Sequence, residues 1–308
     1  AATGLGLTLR ETPQSMTVVT RERIDAQALT SLDALMAQVT GVHVVQGGTP
    51  IGGYNPLISR GYPIRSFLID GLPMPANTFS TDGYGISSID TAPYDSITVV
   101  RGATGLLSGA GDPSGSISLT RKRPTPTFEA SVEQSLGRWR QHRTAADVGG
   151  PLNEVGSLRG RLVAAHSDGR SWVDRYRGDK TVVYGVLEAD LGARTLLTVA
   201  LQHNRTSSRA AGPEVGFAPV FGDGTPTPFG LSANAQADAS RHDDRHTGIT
   251  LRLDHRFNDD WKARLSVSRL RYTVVGDRYV AEAGARAEDP LLMFLRPWRD
   301  WTTTDALV

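Results

Sequence analysis

From Phe128 onward the chain alternates apolar and polar positions with a period of two. In "FEASVEQSLG" (128–137) Phe128, Ala130, Val132 and Leu136 share one side, and Glu129, Ser131, Glu133 and Ser135 the other. "SLRGRLVAAH" (157–166) sets Leu158 and Leu162 against Arg159 and Arg161. "ITLRLDHRF" (249–257) sets Ile249, Leu251, Leu253 and Phe257 against Thr250, Arg252, Asp254 and Arg256. The stretches 182–191, 195–204 and 261–272 follow the same rule. Segments of about ten residues with one apolar and one charged face predict strands of a transmembrane β-barrel with a wet interior. A soluble β-sandwich also alternates, but with shorter strands. The connections favour the barrel: tight turns at 150–157, 191–195 and 257–261 interleave with long connections near 168–180, 205–245 and 274–300.

Before "RKRPTPT" the pattern is different. "SMTVVT" (15–20) predicts a short strand, and Thr20 is placed to cap a helix over "RERIDAQAL". In "SLDALMAQV" Leu32, Leu35, Met36 and Val39 fall on one helical face, and Gly41 stands where a helix stops. "GVHVVQ", "SFLIDGLPM", "SITVVRG" and "SGSISLTRK" predict short strands between glycine- and proline-rich turns. The expected division is a mixed α/β unit over 1–125 and an antiparallel wall over 126–308.

Composition narrows the function classes. There are 33 basic and 32 acidic side chains, which leaves no basic footprint for nucleic acid. The absence of cysteine removes disulfides, thiolate metal sites and cysteine nucleophiles. No apolar run is long enough for a membrane-spanning helix, and the opening "AATGLGLTLRETPQS" has no signal-peptide pattern. "VVRGATGLLSGAGDPSGSISLTRKRP" (98–123) is glycine-rich but lacks the lysine of a phosphate loop, and Ser108 is not in a nucleophile elbow. Its glycines read as structural, allowing sharp turns and close approach of backbone. His242 and His246 in "RHDDRH" are four apart, but the run is expected where a strand enters from a loop, so no metal site is expected. No constellation of catalytic groups stands out, and no enzyme is expected.

"LRETPQSMTVVTRERIDAQALTSLDALMAQVTGV", "SRGYPIRSFLIDGLPM", "YDSITVVRGATGLLSGAGDPSGSISLTRKRP" and "DVGGPLNEVGSLRGRLVAA" together resemble the plug and first strands of TonB-dependent outer-membrane siderophore receptors, in the ferripyoverdine and ferric-coprogen branch. The resemblance covers residue 7 to about 205 and thins beyond. It implies a mixed α/β plug followed by the first strands of a large antiparallel transmembrane β-barrel, incomplete in this chain. About seven wall strands, with an eighth starting near Trp301, are too few to close around a plug, so a longer protein is expected. The implied function is import of a ferric siderophore across the outer membrane of a Gram-negative bacterium, driven by TonB and its inner-membrane energising complex. The implied receptor is a monomer set in outer-membrane lipid, with iron(III) carried inside the ligand and no cofactor bound directly. Receptors for cobalamin, haem or a glycan, and a passive porin-like barrel, are the alternatives.

The same resemblance sets the site expectations. Arg101 in "VRG", and Arg60 in "SRG", are expected to latch the plug to wall carboxylates, the other reading of Arg101 being a guanidinium satisfied by nearby backbone carbonyls. The plug loops 47–56 and 75–88 are expected at the outer end, where Tyr54, Arg65 and Tyr84 would meet a bulky anionic chelate. Trp172 and Trp298 would add wall contacts or belong to the interfacial aromatic girdle.

Overall fold

The structure is a computed structural model that describes residues 14–51, 53–74, 89–102, 113–211, 220–282, 292–296 and 302–307. The first part is built on a five-stranded sheet in the order β1-β7-β8-β5-β6. Its strands are β1 (Ser15–Thr20), β5 (Ser66–Ile69), β6 (Leu72–Pro73), β7 (Tyr94–Arg101) and β8 (Gly115–Arg121). All pairings are antiparallel except β5 with β8. A smaller sheet joins β2 (His43–Val44), β3 (Leu57–Ser59) and β4 (Tyr62–Pro63).

Two short helices pack on this sheet. α1 (Arg21–Ala26) begins after Thr20, as expected, but Thr20 makes no side-chain cap bond. The helix stops before the expected Leu29, because Ala28 turns to a left-handed φ of 48° and the Leu29 amide returns to the Ile24 carbonyl. α2 (Leu32–Met36) turns Leu32, Leu35 and Met36, all 0% exposed, toward Ile97, Val99, Ile117 and Leu119 of the sheet. The i, i+3, i+4 spacing in the sequence therefore became the core face. Asp70 and Gly71, both at positive φ, form the tight turn between β5 and β6. Arg60 and Gly61 do the same between β3 and β4.

The wall is one antiparallel sheet of long strands in sequential order. β9 (Glu129–Gly137), β10 (Gln141–Pro151), β11 (Leu158–Gly169) and β12 (Arg177–Asp190) lead into β13 (Thr195–Arg209), β14 (Arg241–Arg256) and β15 (Lys262–Glu282). The short β16 (Leu292–Arg296) and β17 (Thr302–Leu307) both pair with β15. The tight turns fall where the sequence put them, and the strands run further into the opposite, long-connection end than the expected ten residues. β13 reaches Arg209 and β14 starts at Arg241.

Alternation resolves into two faces. Leu162, Leu187, Leu201, Ile249, Leu251 and Leu265 stand exposed on the outer side of the sheet, while Val163, Tyr184, Ala200 and Gln202 are buried beneath the first part of the chain. An apolar outer band with no protein covering it is what lipid would cover. The sheet does not close: β9 lies at its edge, with every residue exposed.

The "RHDDRH" run opens a strand, as expected. It forms the first six residues of β14, where the strand enters from the long connection, and even spacing in a strand puts His242, Asp244 and His246 on the same, buried face. The His242 Nε2 stands 3.0 Å from Asp244 Oδ1. Among the described residues no group of three or more metal-ligating side chains gathers there or elsewhere.

Candidate functional site

Where the plug sheet meets the wall, the chain leaves β8 through Arg121, Lys122 and Arg123, and each cation takes a different carboxylate. Arg121, 5% exposed, pairs with Asp70 at 2.7 Å and donates to Thr250 Oγ1 at 3.0 Å. Its guanidinium carbon lies 5.6 Å from the centre of the Tyr184 ring. Lys122 pairs with Asp147 at 2.8 Å, and Arg161 grips the same carboxylate through Nε and Nη2 at 2.7 and 2.8 Å. Arg123 reaches Glu188 at 2.6 Å. Two phenols close the seam: Gln202 donates to the Tyr94 hydroxyl at 3.2 Å, and the Tyr184 hydroxyl donates to the Lys122 carbonyl at 2.8 Å. Burial pushes the Tyr94 pKa up to about 12, so this hydroxyl stays protonated.

Higher on the wall, Asp90 is the central group. Its Oδ1 accepts from Arg143 at 2.9 Å and from the Ala92 amide at 2.9 Å, and its Oδ2 stands 3.4 Å from Lys180. All three charged side chains are nearly excluded from water. Charges that deep hold only as a set, because removing one partner leaves the others unsolvated.

At the outer end two of the cavities among the described residues set basic side chains beside aromatic ones. One, about 570 Å³, is lined by Trp139, Arg140, Arg170, Arg175, Tyr176 and Arg209, among others. The other, about 290 Å³, lies between plug and wall, with Pro50, Ile51, His142, Arg143, Tyr176 and Lys180 on its walls. Plug loop 47–56 rises to meet them: the Ile51 amide donates to the Tyr176 hydroxyl at 3.0 Å, and Ile51 packs against Val173, Tyr176 and Ala211. Guanidinium groups beside aromatic faces suit a bulky anionic chelate.

The expected site residues are distributed unevenly over this geometry. Tyr54 lies in the loop that reaches the outer wall, bridged to Gly47 by paired backbone hydrogen bonds. Arg65 is exposed just before β5, and no described contact joins it to that loop. Trp172 stands 49% exposed in the connection between β11 and β12, above the apolar band and outside the lining of both cavities. Tyr84 and Trp298 lie outside the described residues, as do the loop residues 103–112 with Ser108. None of the aromatic and basic groups that line the first cavity was singled out from sequence. Their signal was there in "GRWRQ" and in the arginines flanking the long connection, but nothing in the spacing showed that they converge.

For the two latch candidates, the described contacts lie within the plug. Arg101 donates to Ser15 Oγ, Thr17 Oγ1 and the Thr40 carbonyl, all within the plug. β1 and β7 are antiparallel partners with Ser15 opposite Arg101, so the guanidinium folds back over its own sheet. Arg60 is held in the left-handed turn after β3, with a guanidinium nitrogen 2.7 Å from where a side chain on Gly102 would begin. Among the described residues, the ion pairs that bridge plug and wall belong to Asp70, Asp90, Lys122 and Arg123.

Comparison with known proteins agrees with this architecture. Residues 8–116 match the TonB-dependent receptor plug domain. Over 269 residues the chain is 38% identical to the ferric-pyoverdine BN7/BN8 receptor of Pseudomonas putida, covering 87% of this chain and 32% of that protein. The ferripyoverdine receptor of the Pseudomonas aeruginosa outer membrane, solved with ferripyoverdine bound, superposes with a TM-score of 0.85 at 32% identity, over 94% of this chain and 38% of that one. The chain belongs to the TonB-dependent receptors. The alcaligin outer-membrane receptor of Bordetella pertussis is also similar, at 34% identity and a TM-score of 0.69, over 91% of this chain and 43% of its own. The chain spans about a third of the length of the curated relatives it matches. In this family the mixed α/β part is the plug, the long antiparallel sheet belongs to an outer-membrane barrel, and the outward residues of that sheet are its lipid face.

Proposed function

We propose that the chain forms the plug, over residues 1–125, and the first wall strands, over 126–308, of a receptor that imports a ferric siderophore with energy from TonB. The observation that carries this reading is the similarity to ferripyoverdine receptors, which extends over plug and wall together. The outer end agrees with it: a plug loop meets wall connections beside cavities lined by arginines, tyrosine and tryptophan. Iron would travel inside the chelate, so the protein need supply no metal ligand. A passive porin-like barrel has no use for a plug tied to its wall by buried ion pairs.

The test uses the full-length receptor. Titration with a ferric pyoverdine should quench tryptophan fluorescence in the nanomolar to micromolar range, and haem, cobalamin and an oligosaccharide should not. Saturable binding of one of those three, with none of the ferric siderophore, would turn the assignment to that ligand class. Tyr54→Ala should weaken binding about five-fold, the worth of one stacked aromatic contact. Arg65, Tyr84 and Trp172 stand as further candidates in the same titration.

Arg101 has its own expected signature under this reading. It ties β1, the first described strand, to Thr40. A pull on the chain before β1 reaches that clamp early. Arg101→Ala should therefore change the rate of import while leaving the dissociation constant at the outer face unaltered. Equal losses in binding and import would point to misfolding and remove the clamp from the mechanism.

A further inference from the structure

A cavity of about 750 Å³, larger than either described at the outer end, lies between plug and wall toward the tight-turn end. The turn at Asp70 and Gly71 and the hydroxyls of Ser116 and Ser118 border it on the plug side, and Thr198, Arg252 and Ser266 border it on the wall side. Five cations reach this lining, Arg121, Lys122, Arg123, Arg252 and Arg264, against the two carboxylates of Asp70 and Glu188. Four of the five hold a carboxylate oxygen within 2.8 Å, because Asp147 and Asp254, just beyond the lining, serve Lys122 and Arg264. Arg252 is the exception. Its Nη2 donates to the Asp70 carbonyl at 3.1 Å and stands 4.0 Å from the carboxylate oxygen that Arg121 already holds. The buried Nε of Arg252 has no hydrogen-bond partner among the described residues.

The excess of positive charge continues toward the turns. In β14 the buried His242, Asp244 and Thr250 occupy even positions, so Arg252, Asp254 and Arg256 extend the same inner face. The ladder sets Arg264 of β15 opposite Asp254, and Lys262 opposite Arg256. Arg264 takes Asp254 at 2.6 Å, which leaves Arg256 and Lys262 as like charges face to face, both exposed. Like charges placed opposite one another destabilise a sheet. Among the described residues, neither Arg256 nor Lys262 makes an ion pair. A second cavity, about 380 Å³, is lined by Arg194, Arg256, Lys262 and Arg264, and Arg264 borders the first cavity as well. Four steps along β14, about 13 Å, separate Arg252 from Arg256. Short turns are the periplasmic end of an outer-membrane barrel, so unpaired cations lead from the flank of the plug to the periplasmic rim.

We propose that Arg252, Arg256 and Lys262 form an anion-binding exit site on the inner face of the wall, where carboxylates and other anionic groups of the imported chelate pass from the plug to the periplasm. A cleft lined by one sign of charge concentrates the opposite ion. Exposed guanidinium and ammonium groups hold an anion weakly, and a passage needs sites firm enough to be entered and loose enough to be left. An anion between Arg256 and Lys262 also turns their repulsion into a bridge. A small ligand fits this placement better than a periplasmic protein, which can touch the rim but cannot enter the space between plug and wall where Arg252 stands. The nature of the anion rests on the siderophore reading above, whereas the site itself rests on the unpaired cations.

The test uses the full-length receptor in two settings. In detergent, where both ends are open, fluorescence anisotropy follows binding of a pyrene trisulfonate dye. The triple variant Arg252→Gln, Arg256→Gln, Lys262→Gln should lose a component of dye binding, about ten-fold in affinity, the summed worth of three exposed charge contacts. Dye held elsewhere is common to all samples and drops out of the comparison. Arg252→Lys, Arg256→Lys, Lys262→Arg, which keeps every charge, should retain the component and guards against a folding defect. In cells, import is timed for two ferric pyoverdines whose peptides differ in net charge. The glutamine variant should slow the more anionic one about five-fold and the other less, with the dissociation constant at the outer face unaltered. Unchanged dye affinity in the glutamine variant would overturn the site. Equal slowing of both chelates would overturn its role in passage and point to an acidic protein docking at the rim. Binding of neither chelate at the outer face counts against the uptake reading alone, because the dye result is scored without them.

Discussion

Asp90→Ala in the full-length receptor is expected to lower the stability of the folded protein by about 3–5 kcal/mol, the range found when one partner of a buried ion pair is removed. Asp90 is 2% exposed and is the shared counter-ion of Arg143 and Lys180, themselves almost buried. Two nitrogens of Arg143, Nε and Nη1, already lack hydrogen-bond partners among the described residues, so without Asp90 the guanidinium has none there. The Ala92 amide loses its acceptor as well. Asp90→Asn should fall between, because an amide oxygen can still accept from Arg143 and Ala92 but brings no charge. The double variant Asp90→Ala, Arg143→Met should recover part of the loss by removing a stranded cation, and that recovery separates a buried latch from a simple packing defect. Thermal unfolding in detergent measures all three. A change below about 1 kcal/mol for Asp90→Ala would mean that water reaches the carboxylate and the pair behaves as a surface one. Since Asp90 belongs to the plug and its cations to β10 and β12, the same variant should also let small solutes leak past the plug.

What could be read from sequence followed the range over which each signal acts. The period of two is local, and it correctly separated the outward Leu201, Ile249 and Leu251 from the inward Thr198, Gln202 and Thr250. The helical spacing of Leu32, Leu35 and Met36 was likewise enough to find a buried face. Partners across elements were not readable. Lys122 and Asp147 lie 25 residues apart, and Arg123 and Glu188 lie 65 apart. Alternation says that Asp147 and Glu188 point inward without saying what they meet. Arg101 was expected at the wall because of where its motif sits in the family. Its contacts follow from the β1–β7 register, which places Ser15 and Thr17 under the guanidinium. The burial of the histidines of "RHDDRH" was unreadable for a related reason: which face of β14 turns inward there follows from its ladder to β13 and β15, which the local sequence does not report.

The glycine-rich stretch at 98–123 returns as a stability prediction, because two glycines of the plug that look alike in sequence differ in surroundings. Gly71 and Gly115 both take positive φ, 85° and 143°, so any side chain at either is strained. At Gly71 nothing lies within 4 Å of an added Cβ, so Gly71→Ala carries the backbone penalty alone, about 1–2 kcal/mol. At Gly115 the added carbon would sit 2.2 Å from the Val100 carbonyl oxygen, an impossible approach. That carbonyl belongs to β7, opposite Gly115 and Ser116 in the ladder to β8. Relieving the clash requires parting the two central strands of the plug sheet, which also carry Val99 and Ile117 of the core. Gly115→Ala should therefore cost at least about 3 kcal/mol, adding strain and lost core packing to the backbone penalty. The loss should expose the plug to protease in the folded full-length receptor while leaving the barrel's β signal in circular dichroism. Equal, small effects of the two substitutions would mean that β7 and β8 do not approach as closely as the ladder places them, and the glycine at 115 would then serve only its turn.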